Sequence, residues 1–100
     1  MIVMHAELPI DPEHREEAIE RVEELAVDSR AEDGVIDYRV TTDIEDTDVI
    51  RVIEQYEDDD AVQSHMNSDH FEAFQAAIGA CLAGDPELYR YEVESKTRVM

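Results

Sequence analysis

The chain has 100 residues and a formal charge of −19, from 27 acidic against 8 basic side chains, a size that fits a single domain spanning residues 1–100 with a modest core. No basic stripe is present to neutralise phosphates, which argues against a nucleic-acid partner, and no stretch approaches the roughly 20 apolar residues of a membrane span. Cys81 is the lone cysteine, so no internal disulfide can form.

Residues Ile2 to Leu8 read as a strand ending near Pro9, with Ile2, Met4, Ala6 and Leu8 on one face and His5 and Glu7 on the other. Asp11-Pro12-Glu13 is a helix start, because an aspartate caps free amides, proline suits the first helical position and glutamate suits the dipole. Ala18, Ile19, Val22, Leu25 and Ala26 then follow at helical spacing, while Glu16, Glu17, Glu20, Glu23 and Glu24 face water. Gly34 punctuates the end.

Val35 to Thr41 and Val49 to Tyr56 form two further strands, joined by the polar stretch Thr42 to Asp48 as a hairpin loop. In the second of these, Ile50, Val52, Glu54 and Tyr56 share one face, and Val49, Arg51, Ile53 and Gln55 the other. Both faces carry apolar residues, which implies cover on both sides: helices on one, and something else on the other.

Asp58, Asp59 and Asp60 suit a helix N-terminus, and Ala61, Val62, His65 and Met66 follow at helical spacing up to a break at Asn67-Ser68. Asp69 with Glu72 resembles a capping box that opens another helix, with a stripe of Phe71, Phe74, Ile78, Cys81 and Leu82, stopped by Gly84-Asp85-Pro86. Leu88 to Val93 is a last strand. The order strand, helix, strand, strand, helix, strand predicts an α+β, ferredoxin-like split βαβ arrangement with helices on one face of an antiparallel sheet. Two such sheets pairing face to face would close a dimeric α+β barrel, and a homodimer also adds buried area that one small copy lacks.

The charge has its own reading. At about 1 M ionic strength the Debye length falls to about 3 Å, so a coat of carboxylates that would repel itself in dilute buffer hardly does so in concentrated salt. Lys96 is the only lysine, and the other cations are arginines, whose planar fork suits ion pairs with carboxylates. With 43% of the chain apolar and periodically arranged, disorder does not account for the charge. A halophilic, cytoplasmic protein is expected, since the N-terminus lacks the basic segment and apolar run of a signal peptide.

Several residues stand out for chemistry. His65 falls on the apolar side of its short helix, where an imidazole could move protons near neutral pH or simply bond a neighbouring backbone group. His5, Tyr38, Glu54 and Tyr56 lie on strands, and those facing the open side of the sheet would line a pocket with His65. Glu54 in an apolar strand needs a partner, with Arg39, Arg51 and Arg90 as the candidates. His65, Asp69 and His70 look like metal ligands as printed. The histidines are five apart, however, with a helix break between them, so no metal is expected. Cys81 reads as core. No phosphate loop or dinucleotide fingerprint exists, so no nucleotide or flavin cofactor is expected.

The pattern Glu32-Asp33-Gly34, Tyr38, Glu54-Gln55-Tyr56, Asp59-Asp60-Ala61, His65, Ser68-Asp69-His70-Phe71 and Phe74 resembles the antibiotic biosynthesis monooxygenase domain over nearly the whole chain. The resemblance implies a dimeric barrel with a pocket between sheet and helices in each copy. It also implies oxidation of a quinol-like or other reduced aromatic molecule by O₂ without metal or flavin. His65 matches the family's pocket histidine and becomes the base or proton shuttle, with Tyr38, Glu54, Tyr56, His5 and Phe71 around the substrate. Family members often carry tryptophan where Tyr56 stands. The superfamily's haem-degrading enzymes use an asparagine on the first strand, and Asn67, the only asparagine here, lies elsewhere. The alternative is a non-catalytic dimeric barrel that binds a small hydrophobic ligand in a regulatory or stress role.

Overall fold

The computed structural model describes residues 1–100. Its elements run β1 (Ile2–Pro9), a 3₁₀ turn (Pro12–His14), α1 (Arg15–Arg30), β2 (Val35–Thr42), β3 (Val49–Tyr56), α2 (Asp59–Met66), α3 (Asp69–Ile78), a second 3₁₀ turn (Gly79–Cys81) and β4 (Glu87–Glu92). The sheet order is β2-β3-β1-β4, antiparallel throughout. This is the ferredoxin-like α+β arrangement that the element order predicts. No helix is long and apolar enough to cross a membrane.

Local chemistry accounts for the element ends. The Asp11 carboxylate accepts from the Glu13 amide before α1, and the Asp58 carboxylate accepts from the Ala61 amide at the start of α2. At α3 the cap sits one residue earlier than expected: Ser68, not Asp69, accepts from the Phe71 amide. The helix also ends at Ile78 rather than running on to Leu82, because the chain tightens into the 3₁₀ turn that carries Cys81 into the core. Gly34 has φ +84°, and a Cβ there would lie 2.7 Å from the Ala61 Cβ. Only glycine lets the start of β2 lie this close to the first turn of α2.

All three helices cover one sheet face. A larger apolar cluster, including Leu8, Ile10, Val22, Leu25, Ile50 and Val52, lies under α1 and α3, and a smaller one of Ile2, Met4, Tyr56, Ala61 and Val62 holds α2 on β1 and β3. Each fully buried aliphatic side chain contributes about 1.5–3 kcal/mol. Glu54 lies between Val52 of the first cluster and Tyr56 of the second, and it pairs across the sheet with Met4. A carboxyl group thus stands between the two apolar clusters.

The opposite sheet face has no cover within the chain. Ile53 is 39% exposed, Tyr89 47% and Tyr91 47%. His5 stacks edge-on against Tyr91 there, and Arg51 pairs with both Glu7 and Asp43.

Candidate functional site

A hollow of about 180 Å³ opens between the sheet and the helices, lined mainly by apolar side chains, among them Leu25, Val52, Phe71, Phe74 and Ile78. Its polar wall is made by Tyr38, Glu54 and His65. No lysine or arginine lines it, whereas Glu54 and Glu87 do.

His65 comes from the last turn of α2 and is 1% exposed. It sits among aromatic rings, with centroid separations of 4.9 Å to Phe71, 5.4 Å to Tyr38 and 5.7 Å to Tyr56. Its partner is a carboxylate rather than a backbone group: Nδ1 lies 2.8 Å from Glu32 Oε2. A carboxylate accepts, so Nδ1 carries the proton and Nε2 the lone pair of a neutral ring. Nε2 is buried and has no hydrogen-bond partner. Burial pushes the His65 pKa below its ordinary value, opposed by the Glu32 carboxylate, and nearby His70 lowers it further.

The same Glu32 oxygen lies 2.7 Å from His70 Nε2. The break at Asn67-Ser68 turns α3 so that His70 returns towards His65, with ring centroids 6.0 Å apart. This corrects the expectation that a five-residue spacing keeps the two histidines apart. The donor atoms of Glu32, His65 and His70 all lie within 4.8 Å of one another, and the third member is Glu32 rather than Asp69. Both ring nitrogens approach one carboxylate oxygen at hydrogen-bond separation, so the cluster is held by N–H···O bonds.

Glu54 also differs from expectation, because its partner is not an arginine. Arg39 pairs with Asp37, Arg51 with Glu7 and Asp43, and Arg90 with Asp59. Instead, the Tyr56 hydroxyl donates to Glu54 Oε1 at 2.5 Å. Burial raises the Glu54 pKa to about 7, and the bond from Tyr56 moderates the rise. The Tyr38 and Tyr56 phenols are pushed well above their ordinary value, chiefly by burial and next by the charge of Glu54, so both stay protonated.

Tyr38, Glu54, His65 and Phe71 meet at the hollow, and Tyr56 stands behind Glu54, fully buried. His5 does not join them. It points to the other sheet face, since alternation along β1 sets it opposite Met4 and Ala6. Glu32 was not singled out for chemistry by the residue pattern. It lies 33 positions from His65 in sequence, and its only signal was a place beside Gly34 in the family-like motif.

Comparison with known proteins follows the same outline. The family profile for antibiotic biosynthesis monooxygenase matches residues 1–77. YcnE of Bacillus subtilis (strain 168), named as a candidate monooxygenase, is 29% identical over 93 residues, covering 93% of this chain and 98% of its own. The structure of a candidate antibiotic biosynthesis monooxygenase from Caulobacter crescentus CB15 superimposes with a TM-score of 0.89 at 28% identity, covering 94% of this chain and 90% of that one. A conserved protein from Methanosarcina mazei Go1 gives 0.87 at 27% identity, covering 90% and 89%.

Proposed function

Because the chain belongs to the antibiotic biosynthesis monooxygenase family, we propose that it oxidises a small, neutral, quinol-like aromatic with O₂, using His65 as the base and no cofactor. The observation that carries this reading is the buried, unpartnered Nε2 of His65, on a ring whose other nitrogen is fixed by Glu32. A ring oriented in this way offers a lone pair, not an N–H, at Nε2, which is what accepting a phenolic proton requires.

The dimensions and charge of the hollow narrow the substrate. A cavity of about 150 Å³ is known to hold one benzene ring, so about 180 Å³ suits a single substituted ring better than a fused polycycle. With carboxyl groups and no cation at the wall, a carboxylate or phosphate on the substrate would be repelled. Tyr38, Glu54 and Phe71 position the ring, and Tyr56 holds Glu54.

The chemistry balances without a further reductant. The phenolic proton passes to His65 Nε2, and the electron-rich anion then reduces O₂. One oxygen atom enters the ring and the other leaves as water, the four electrons coming from the quinol as it becomes a hydroxyquinone. Glu32 stabilises the imidazolium formed on the way.

The uncovered sheet face supports pairing of two copies as a barrel, since Ile53, Tyr89 and Tyr91 would otherwise stay in water. Oxygen uptake with hydroquinones, naphthohydroquinones and anthrones in molar KCl tests the reading. Single-ring hydroquinones are expected to react faster than their autoxidation, and His65→Ala to abolish the excess. Uptake at the background rate for every compound sinks the oxygenase and leaves a ligand-binding barrel.

A further inference from the structure

We propose that His65 and His70 share one positive charge across Glu32, so that His65 takes up a proton inside the hollow as His70 releases a different one outside. This deepens the reading of His65 as a base and rests on it for its use in catalysis. The coupling itself is a property of the resting protein.

The two histidines face different surroundings. His65 lines the internal hollow and is closed off from water. The His70 side chain is 24% exposed and lines a separate, shallow depression with Arg21, Glu24 and Asp28 of α1. Between them stands one oxygen, Glu32 Oε2, at 2.8 Å from His65 Nδ1 and 2.7 Å from His70 Nε2. The Glu32 side chain is itself only 14% exposed. This carboxylate is thus the one negative charge in direct contact with both rings.

Charge neutrality then sets the proton count. One imidazolium, on either ring, balances one carboxylate between them, and with the charge on His70 the His65 ring is neutral. A proton arriving at His65 Nε2 leaves two imidazolium rings 6.0 Å apart beside a single carboxylate, which is unfavourable where water is scarce. Loss of the Nδ1 proton of His70 to solvent restores the balance. No proton crosses Glu32: one is bound at the inner end and another leaves at the outer end, and the reverse exchange resets the site. His70 is therefore a positioning residue for the charge on His65 and does not touch the substrate.

Other groups act on both rings. Tyr38 from β2, and Glu54 and Tyr56 from β3, face His65. The tyrosines stay neutral, but Glu54, with a pKa of about 7, ionises in the same range and is best removed from the test. Around His70, Arg21, Glu24 and Asp28 are the charged groups that line the same depression, and molar salt screens all three. The contact through Glu32 is shielded from salt.

The test follows both imidazoles by ¹⁵N-detected NMR in the Glu54→Gln protein, in molar KCl without substrate, between about pH 5 and 9. Each ring is expected to titrate in two linked steps. Adding His70→Gln, which keeps an N–H donor for Glu32 but no titrating ring, is expected to leave His65 with one step. Its midpoint should rise by about one pH unit, or tenfold in proton affinity. A midpoint that stays put or falls, in a variant with an unchanged amide spectrum, overturns the proposal. Should that variant fail to fold, independent single-step curves for the two rings in Glu54→Gln alone overturn it equally. Neither outcome bears on oxygen uptake, so this proposal and the oxygenase reading fail separately.

Discussion

Replacing Glu54 by glutamine removes a charge that the folded chain holds at a cost, and the effect on stability has a defined pH dependence. The carboxyl ionises near its ordinary value of 4.5 in the unfolded chain and at about 7 in the folded one. Between those values the folded state binds more protons than the unfolded state, so this group's contribution is fully present below pH 4.5 and is lost as pH rises through 7. The loss approaches about 3 kcal/mol by pH 8 and is about 1 kcal/mol at pH 5. Glutamine has nearly the same shape, still accepts from the Tyr56 hydroxyl and does not ionise. Glu54→Gln should therefore gain on the wild type by about 2–3 kcal/mol between pH 5 and pH 8, whatever constant offset the substitution brings. Urea unfolding of both proteins in molar KCl across this range measures the difference, and the other acidic groups, common to both chains, cancel from it. A difference that does not change with pH would refute the buried, proton-retaining state of Glu54.

Gly34→Ala is expected to destabilise by about 1–3 kcal/mol, because the residue has φ +84° and its new Cβ would stand 2.7 Å from that of Ala61; thermal or urea unfolding measures this, and a neutral result would show that the two segments part easily. Asp58→Ala should cost about 1 kcal/mol by removing the acceptor for the Ala61 amide, with amide hydrogen exchange rising along α2. Thermal unfolding is expected at a higher temperature in molar KCl than at low salt, since 27 acidic groups stand against 8 basic ones and the buried carboxylic side chains reduce to Glu54 alone. A midpoint that does not respond to salt would count against halophilic adaptation.

Much of this molecule can be read along the chain because the signals are local. The period of two in Val49 to Tyr56 places Glu54 and Tyr56 on the face of Ile50 and Val52, and these four are buried together. The aspartates before Ala61 and the break at Asn67-Ser68 mark the ends of α2, since a cap acts within one turn. Sequence alone thus determined the α+β order, the helical position of His65 and the acidic coat. The tertiary structure decided the chemistry of the site. Which residues of neighbouring strands share a face depends on their register, and pairing Met4 and Tyr38 with Glu54, and His5 with Ile53, separates His5 from Tyr38 and Glu54. The partner of His65 lies 33 positions away and that of His70 38 positions away, beyond the reach of any helical or strand period. A five-residue spacing places two histidines on different sides of one helix, but the turn between two helices brings them to the same carboxylate oxygen. Periodicity reports the face a side chain occupies within its own element; only packing brings that face to a partner from another.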